Sequence, residues 1–318
     1  MNRSNRWQKM PSALVGLLVA SALMISKVAA EDLATDSVII DGSLSAEVSV
    51  VDDLGREVTL KQPARRIVAL APHIVEMVYA VGSGDRIVGA VNYSDYPAAA
   101  KALPRVGTYK AFSAEAILRL NPDLILAWHS GNGAQRVAPV QALGVPVYFS
   151  EPRALEDIGS ALEKIARLSG VKNPQLPKEQ FSEELNNLRE QYAQRPQVSV
   201  FYQVWNRPLQ TLNGEHLISD VIRLCGGENV FSSASTLAPQ ISVEAILRLD
   251  PQVIVASGMG EARPEWLDEW QRWPSLTAVK HQQLKFIPPD IIQRHTPRVL
   301  KGAKLMCEHL EQARHVYQ

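Results

Sequence analysis

This sequence is short of cysteine, of net charge and of long apolar runs, and each shortage removes a class of protein. Two cysteines among 318 residues are too few for a disulfide-framed scaffold. No CxxC or nearby histidine supplies the further ligands that a zinc site needs, so no metal centre is expected. The 33 basic and 33 acidic side chains cancel, which leaves no basic excess for nucleic acid or an anionic membrane surface. Beyond residue 30 no apolar run is long enough to cross a bilayer. The catalytic signatures GxSxG and HExxH and the phosphate loop GxxxxGK are missing as well. Gly82-Ser83-Gly84 comes nearest to a dinucleotide fingerprint, but Ile87 stands where its third glycine belongs, so the pair reads as a turn. No nucleophile can be placed beside a base, and an enzyme is not expected.

What the chain does contain begins with a leader. Arg3, Arg6 and Lys9 form a basic segment, residues 13–25 are apolar or small, and Val28-Ala29-Ala30 offers a cleavage site. Residues 1–30 therefore read as a signal peptide that exports the chain to the periplasm. No cysteine follows the apolar run, so the expected product is soluble and not a lipoprotein. Cleavage would remove four basic residues and no acidic one, leaving 29 basic against 33 acidic side chains. In an oxidising compartment Cys225 and Cys307 invite a disulfide; two buried free thiols are the alternative.

An internal repeat organises the rest. Residues 113–127 read SAEAILRLNPDLILA and residues 242–256 read SVEAILRLDPQVIVA, identical at 10 of 15 positions. Each copy starts with a serine N-cap and places a glutamate, Glu115 or Glu244, in the first turn. Ile117 and Leu120, like Ile246 and Leu249, recur at helical spacing and are expected to face inward. A proline stops each helix, and the apolar run after it reads as a buried parallel strand. Helix followed by buried strand is half of a βαβ unit, which predicts one α/β lobe per copy. The expected organisation is a first lobe over residues 31–170 with a leading hairpin at 47–60, a linker over 171–197 and a second lobe over 198–318. Strands are expected at 67–70, 86–90, 145–148, 198–203 and 284–287, and helices near 74–81, 134–143, 217–224 and 297–312. The stretch 178–194 is charged and free of glycine and proline, so the linker should be a stiff helix. Trp266, Trp270 and Trp273, spaced by four and then three, suit the buried face of one helix.

From Asp52 onward the chain resembles the helical-backbone class of periplasmic binding proteins for iron-siderophores, haem and cobalamin. The resemblance rests on DDLGREV, RIVALAPHIVEM, PRVGTY, the two EAILRL repeats, LCGGENVF and RHTPR. Within that class NYSDYP, LAWHSGN, LCGGENVF and PPDIIQRHTPR are most similar to the cobalamin-binding members. The resemblance implies two Rossmann-like lobes with central parallel sheets joined by one rigid helix, the class III architecture. It implies a monomer that carries cobalamin or a related corrinoid as cargo, with no cofactor; haem or an iron-siderophore is the alternative cargo. It also implies a partner, the permease and ATPase of an ABC transporter, whose arginine pockets would meet Glu115 and Glu244. A carboxylate on each lobe suits a roughly two-fold membrane partner, while the plainer role of either residue is to favour its own helix N-terminus.

In open α/β sheets ligands sit beyond the carboxyl ends of the strands. On that ground Tyr93 and Tyr96, Tyr109, Trp128 and Trp205 are candidates to contact the cargo, since aromatic faces suit a large flat macrocycle. Asp290 and Arg294, in a loop where Ile291, Ile292, Gln293 and His295 depart from the cobalamin pattern, can hydrogen-bond corrin amides or pair with each other. His73 follows the first strand; its imidazole suits cobalt or iron, or a structural hydrogen bond.

Overall fold

The chain enters through a hairpin, β1 (Val48–Val51) and β2 (Glu57–Leu60), paired antiparallel. Val50, Val58 and Leu60 face inward and alternate with exposed neighbours, the period-two pattern of a half-buried sheet. Its turn is encoded by Asp52 to Arg56. Asp52 Oδ1 accepts from the amides of Leu54 and Arg56, each at 2.9 Å, and Gly55 takes φ 77°. Asp53 fastens the hairpin onward, accepting from Lys164 Nζ and the Glu151 amide at 2.8 Å each. This computed structural model describes residues 47–142, 144–192, 194–258, 260 and 262–317. The signal peptide expected at 1–30 lies outside the described residues.

Two parallel sheets follow. The first holds β3 (Ile67–Ala69), β4 (Ile87–Ala90), β5 (Leu124–Trp128) and β6 (Val147–Ser150) in the order β4-β3-β5-β6. The second holds β7 (Val198–Gln203), β8 (Gly227–Asn229), β9 (Val253–Ala256) and β10 (Leu284–Phe286) in the order β8-β7-β9-β10. Every pairing is parallel, and β3, β9 and most of β5 are fully buried, as expected where both faces of a sheet are covered. The two sheets share one order, with the first strand between the second and the third. Each therefore has a topological switch point, between β3 and β5 in one lobe and between β7 and β9 in the other.

The helices that matter to the site are α1 (Pro72–Ala80), α2 (Ala114–Arg119), α3 (Ala134–Gln141), α4 (Leu155–Leu168), α5 (Leu176–Tyr192), α6 (Leu217–Leu224), α7 (Val243–Leu249) and α8 (Val299–Tyr317). The sequence repeats form α2 with β5 and α7 with β9. Ser113 Oγ accepts from the Ala116 amide at 3.1 Å and Ser242 Oγ from the Ala245 amide at 3.3 Å, so both N-caps form as expected. Ile117 and Ile246 are fully buried, whereas Leu249 is exposed, against expectation. Asp250 ends α7 in a left-handed conformation, so Leu249 lies in the final turn, past the part of the helix that touches the sheet. Trp270 is buried, but Trp266 and Trp273 are only half-buried, and their segment winds as a 3-10 helix over Glu265–Arg272. Three residues per turn do not keep positions four apart on one face.

The linker helix α5 lies against α4, burying Phe181, Leu185 and Tyr192 and pairing Lys178 with Glu163 at 3.0 Å and Arg189 with Glu156. These residues belong to one apolar core that runs from Ile74 and Met77 of α1 through Ile158, Leu162 and Phe181 to Ile218, Met306 and Leu310 of the second lobe. Asp220 of α6 accepts from the Leu155 amide at 2.9 Å, capping a first-lobe helix from the second lobe. The lobes are thus joined at the back by packing as well as by chain.

Cys225, at the end of α6, is disulfide-bonded to Cys307 of α8 across 82 residues. A bridge closing a loop of that length restricts the unfolded chain, for about 2–4 kcal/mol of stability. Replacing both cysteines by alanine is expected to lower the unfolding free energy by that amount in a urea titration. Dithiothreitol should produce the same loss in the parent chain and none in the variant.

Candidate functional site

The switch point of the first lobe is built around Asn132. This fully buried amide donates to the Leu70 carbonyl at 2.9 Å and the Tyr109 carbonyl at 2.7 Å, and its Oδ1 accepts from the Trp128 amide at 2.6 Å. One side chain thus clips the end of β3, the Tyr109 loop and the end of β5. Gly131 completes the arrangement: a Cβ there would stand 1.9 Å from the Trp128 ring. Pro72 opens α1 immediately beyond β3, where its missing N–H costs nothing, and so sets His73 at the mouth of the crevice.

On this base the first lobe presents His73 and Trp128 in edge-on contact, ring centroids 5.1 Å apart, with Tyr109 5.9 Å from Trp128. The second lobe meets them with His295, 5.5 Å from His73 and 6.2 Å from Trp128, backed by His216 at 6.1 Å from His295. Burial holds all three imidazoles neutral. It lowers His295 to about 4 and His216 to about 3, and it takes His73 far below the usual histidine range, helped by the charge of Arg294. His73 Nε2, Trp128 Nε1, His295 Nδ1 and Thr296 Oγ1 are buried without a hydrogen-bond partner among the described residues. A cluster of unsatisfied polar atoms between two lobes is costly to the protein alone and marks the place where a ligand would supply partners.

Beside this cluster the lobes are latched by charge. Arg294 pairs with Glu76 of α1 at 2.6 Å, with Asp95 at 3.0 Å and with Asp290 at 3.0 Å. Arg298 donates twice to Glu76, at 2.9 and 2.8 Å, and its guanidinium lies 3.8 Å over the Tyr96 ring. Glu76 is buried, so this one carboxylate answers two guanidinium groups from the opposite lobe. Asp290 and Arg294 therefore pair with each other, the second of the two roles open to them from sequence.

Two cavities flank the latch. One of about 40 Å³ lies among Trp128, Glu151, Arg153, His216, Leu237 and His295. The other, about 260 Å³, is bounded by Glu76, Tyr79, Tyr96, Pro97, Thr296 and Arg298. Neither reaches the roughly 300–1,000 Å³ of an ordinary small-molecule pocket, so a large ligand needs the loop around His295 to withdraw. Among the described residues no group of three or more His, Cys, Asp or Glu is set to hold a metal ion.

The structure brings His73, Tyr109 and Trp128 together, whereas Tyr96 lies apart from them, under the Arg298 guanidinium of the latch. Two other candidates stand apart. Tyr93 is 74 % exposed with φ 65°, and Trp205 donates its indole N–H to the Arg207 carbonyl at 3.0 Å within its own hairpin. Sequence reasoning passed over His216, His295, Glu76, Arg298 and Asn132. Four of them sit in quoted motifs: Glu76 in RIVALAPHIVEM, Asn132 in LAWHSGN, and His295 and Arg298 in RHTPR. Glu115 and Glu244 lie outside the cleft and are exposed. Glu115 pairs with Arg119 at 3.4 Å. Its own amide and the Ser242 hydroxyl hold Glu244 below the usual carboxylate range.

The family model described as periplasmic binding protein matches residues 67–291. The vitamin B12-binding protein of Vibrio cholerae is 37% identical over 252 residues, 78% of this chain and 90% of that protein. The crystal structure of the periplasmic vitamin B12 binding protein BtuF of Vibrio cholerae superposes with TM-score 0.72 at 37% identity, covering 79% of this chain and 98% of that one. The periplasmic heme-binding protein RhuT from Roseiflexus sp. RS-1 superposes with TM-score 0.69, covering 79% and 99% of the two chains, but at 21% identity it is alike in fold alone.

The neutral histidines make stability depend on pH. Above about 6.5 the rings are uncharged in both folded and unfolded chains. Below it the unfolded chain takes up protons that the folded one refuses, down to about 4 at His295 and about 3 at His216. Stability should therefore fall with pH through that window, by up to ~1.4 kcal/mol per pH unit for each ring. Urea titrations from pH 7 to 4 should show the slope, and His216→Asn with His295→Gln should flatten it. An equal slope in parent and variant would mean that the rings are already charged in the fold.

Proposed function

Because the chain belongs to the periplasmic binding protein family, we propose that it captures cobalamin or a closely related corrinoid between its lobes and delivers it to an ABC transporter. The carrying observation is the 37% identity, over 78% of the chain, to a protein named for binding vitamin B12. The haem binder shares the fold at 21% identity, too little to carry its ligand across. The activity is capture and release, with the corrinoid as cargo and not as cofactor.

The chemistry of the cleft agrees. A corrin is broad, apolar on its faces and fringed with amides. Trp128 and Tyr109 offer it a flat apolar wall, and their unpaired or flanking polar atoms offer its rim hydrogen bonds. Tyr96, Asp290 and Arg294 stand at the mouth, where breaking the latch frees both charged side chains for amide groups. Tyr93, which is exposed, and Trp205, which is half-buried, extend the same surface once the loop withdraws. Since the core at the back is continuous, entry takes place by movement of the 288–298 loop with a small change in lobe angle.

The leader at 1–30 sends the protein to the periplasm, where it works as a soluble monomer. Glu115 and Glu244, one exposed carboxylate at the corresponding position of each lobe, dock on basic pockets of the permease. Haem is the second reading, favoured by the three imidazoles that gather in the cleft.

Calorimetry with cyanocobalamin and haemin separates the two readings. Cyanocobalamin is expected to bind at micromolar concentration or below; heat from haemin alone would replace corrinoid by haem. Trp128→Ala should weaken cyanocobalamin by roughly 10–100-fold, the loss of one large aromatic contact. In a reconstituted transporter, Glu115→Lys or Glu244→Lys should abolish stimulation of ATP hydrolysis while leaving corrinoid affinity unchanged. Full stimulation by either charge-reversed variant would remove these residues from the docking surface.

A further inference from the structure

The corrinoid reading leaves one feature unexplained: three imidazoles converge where the cargo would lie, and hydrogen bonding to amides needs none of them. We infer that His73 is a cobalt ligand, its Nε2 replacing an exchangeable axial water of an aquo-corrinoid on entry into the cleft. The inference rests on the corrinoid reading and adds to it a preference among corrinoids.

The choice of His73 follows from the bonds of each ring. His216 Nδ1 accepts from the Ile218 amide at 3.1 Å as the N-cap of α6, so its neutral ring carries the proton on Nε2 and has no lone pair to give. His295 lies in the loop that holds Arg294 and Arg298 across the lobes, and the neighbouring cavity of about 40 Å³ means that this loop must leave before a macrocycle enters. His73 stays. It sits in the first turn of α1, and the strand end that precedes it is held by the Leu70 amide donating to Leu126 at 2.9 Å and by the Asn132 clip. Its Nε2 is buried and unpartnered, with the ring against Trp128 and His295. Withdrawal of His295 would leave His73 Nε2 and the Trp128 ring facing one space, an axial donor beside a flat apolar wall.

The exchange balances simply. The Co(III)–OH2 bond breaks and the water leaves for solvent. A Co–N bond forms from the imidazole lone pair, the other ring nitrogen keeps its proton, and cobalt keeps its oxidation state. Neutral imidazole is a good donor to such a centre, and burial keeps protons from competing. A corrinoid whose axial positions hold cyanide cannot undergo this exchange and must bind through its periphery alone.

Diaquocobinamide and dicyanocobinamide, which lack the nucleotide base, are the probes. The parent protein should bind diaquocobinamide at least tenfold more tightly by calorimetry. Its visible bands should move to the positions that free imidazole produces with the same compound. His73→Ala should lose both the shift and the preference, binding the two compounds with equal affinity, and its circular dichroism and urea midpoint should report that it is folded. His295→Ala should keep the shift. A shift that persists in His73→Ala, or one lost only in His295→Ala, would overturn the assignment. Binding of dicyanocobinamide with no shift for the diaquo form would overturn the ligation and leave the corrinoid reading standing. Failure of both compounds to bind would overturn the corrinoid reading itself.

Discussion

A single apolar core passes behind the cleft, and the geometry at the front depends on it. Its residues come from α1, α4, α5, α6 and α8, so both lobes share it, while each also keeps a smaller cluster of its own, around Ile117 in the first and Ile246 in the second. Residues such as Phe181 and Leu185 of the linker helix are nearly as buried as the strands. Prying the lobes wide apart would expose that shared surface, at about 25 cal/mol for every Å². The cleft can therefore change only near its mouth, and the side chains at the two switch points keep a nearly fixed separation.

At the mouth the closing force is of another kind. Glu76, Arg294, Arg298, Asp95 and Asp290 form a partly buried charge network whose Coulomb attraction is offset by the cost of drying the charges. When the network opens, water and ligand amides replace the lost partners, so little free energy separates the two states. A binding protein needs this division. The back resists deformation because apolar area has no substitute partner, and the front yields because every charge has one. Removing one member alone is different, since without Glu76 the Arg298 guanidinium loses its carboxylate while Arg294 keeps only Asp95 and Asp290.

The fold was largely legible in the sequence because its signals are local. The serine caps, the proline stops and the apolar runs of the repeat each act within a few residues, and the strand at 253–256 forms where they put it. Leu249 escaped the pattern because periodicity does not show where a helix loses its neighbour. The site was half legible. His73 follows β3 and Trp128 closes β5, with Tyr109 beside it, so the rule that ligands lie beyond strand ends singles them out. His295, His216 and Glu76 matter because segments up to 222 residues apart meet, as Arg298 and Glu76 do. No local pattern carries that information. Arg294 even suggested its nearest acidic neighbour, Asp290, when its shorter contact is with Glu76 on the opposite lobe.

The two lobes repeat one strand order, yet the cleft between them is not symmetric. Where β3 and β5 end, the first lobe sets His73 and Trp128 on a scaffold clipped by Asn132. At the matching place, where β7 and β9 end, the second lobe has Gln203 and Ser257, and Gln203 is engaged by the Trp270 indole at 2.7 Å. The second lobe instead reaches the cleft with its 288–298 loop, which is held mainly by charge. The lobes have in common the parallel sheet and the exposed glutamate of each repeat. They differ at the strand ends, and a ligand with two unlike faces is better held by one rigid wall and one adaptable one. For the proposed corrinoid, the rigid wall would read the metal centre and the adaptable one the periphery, a division that a symmetric cleft would not allow.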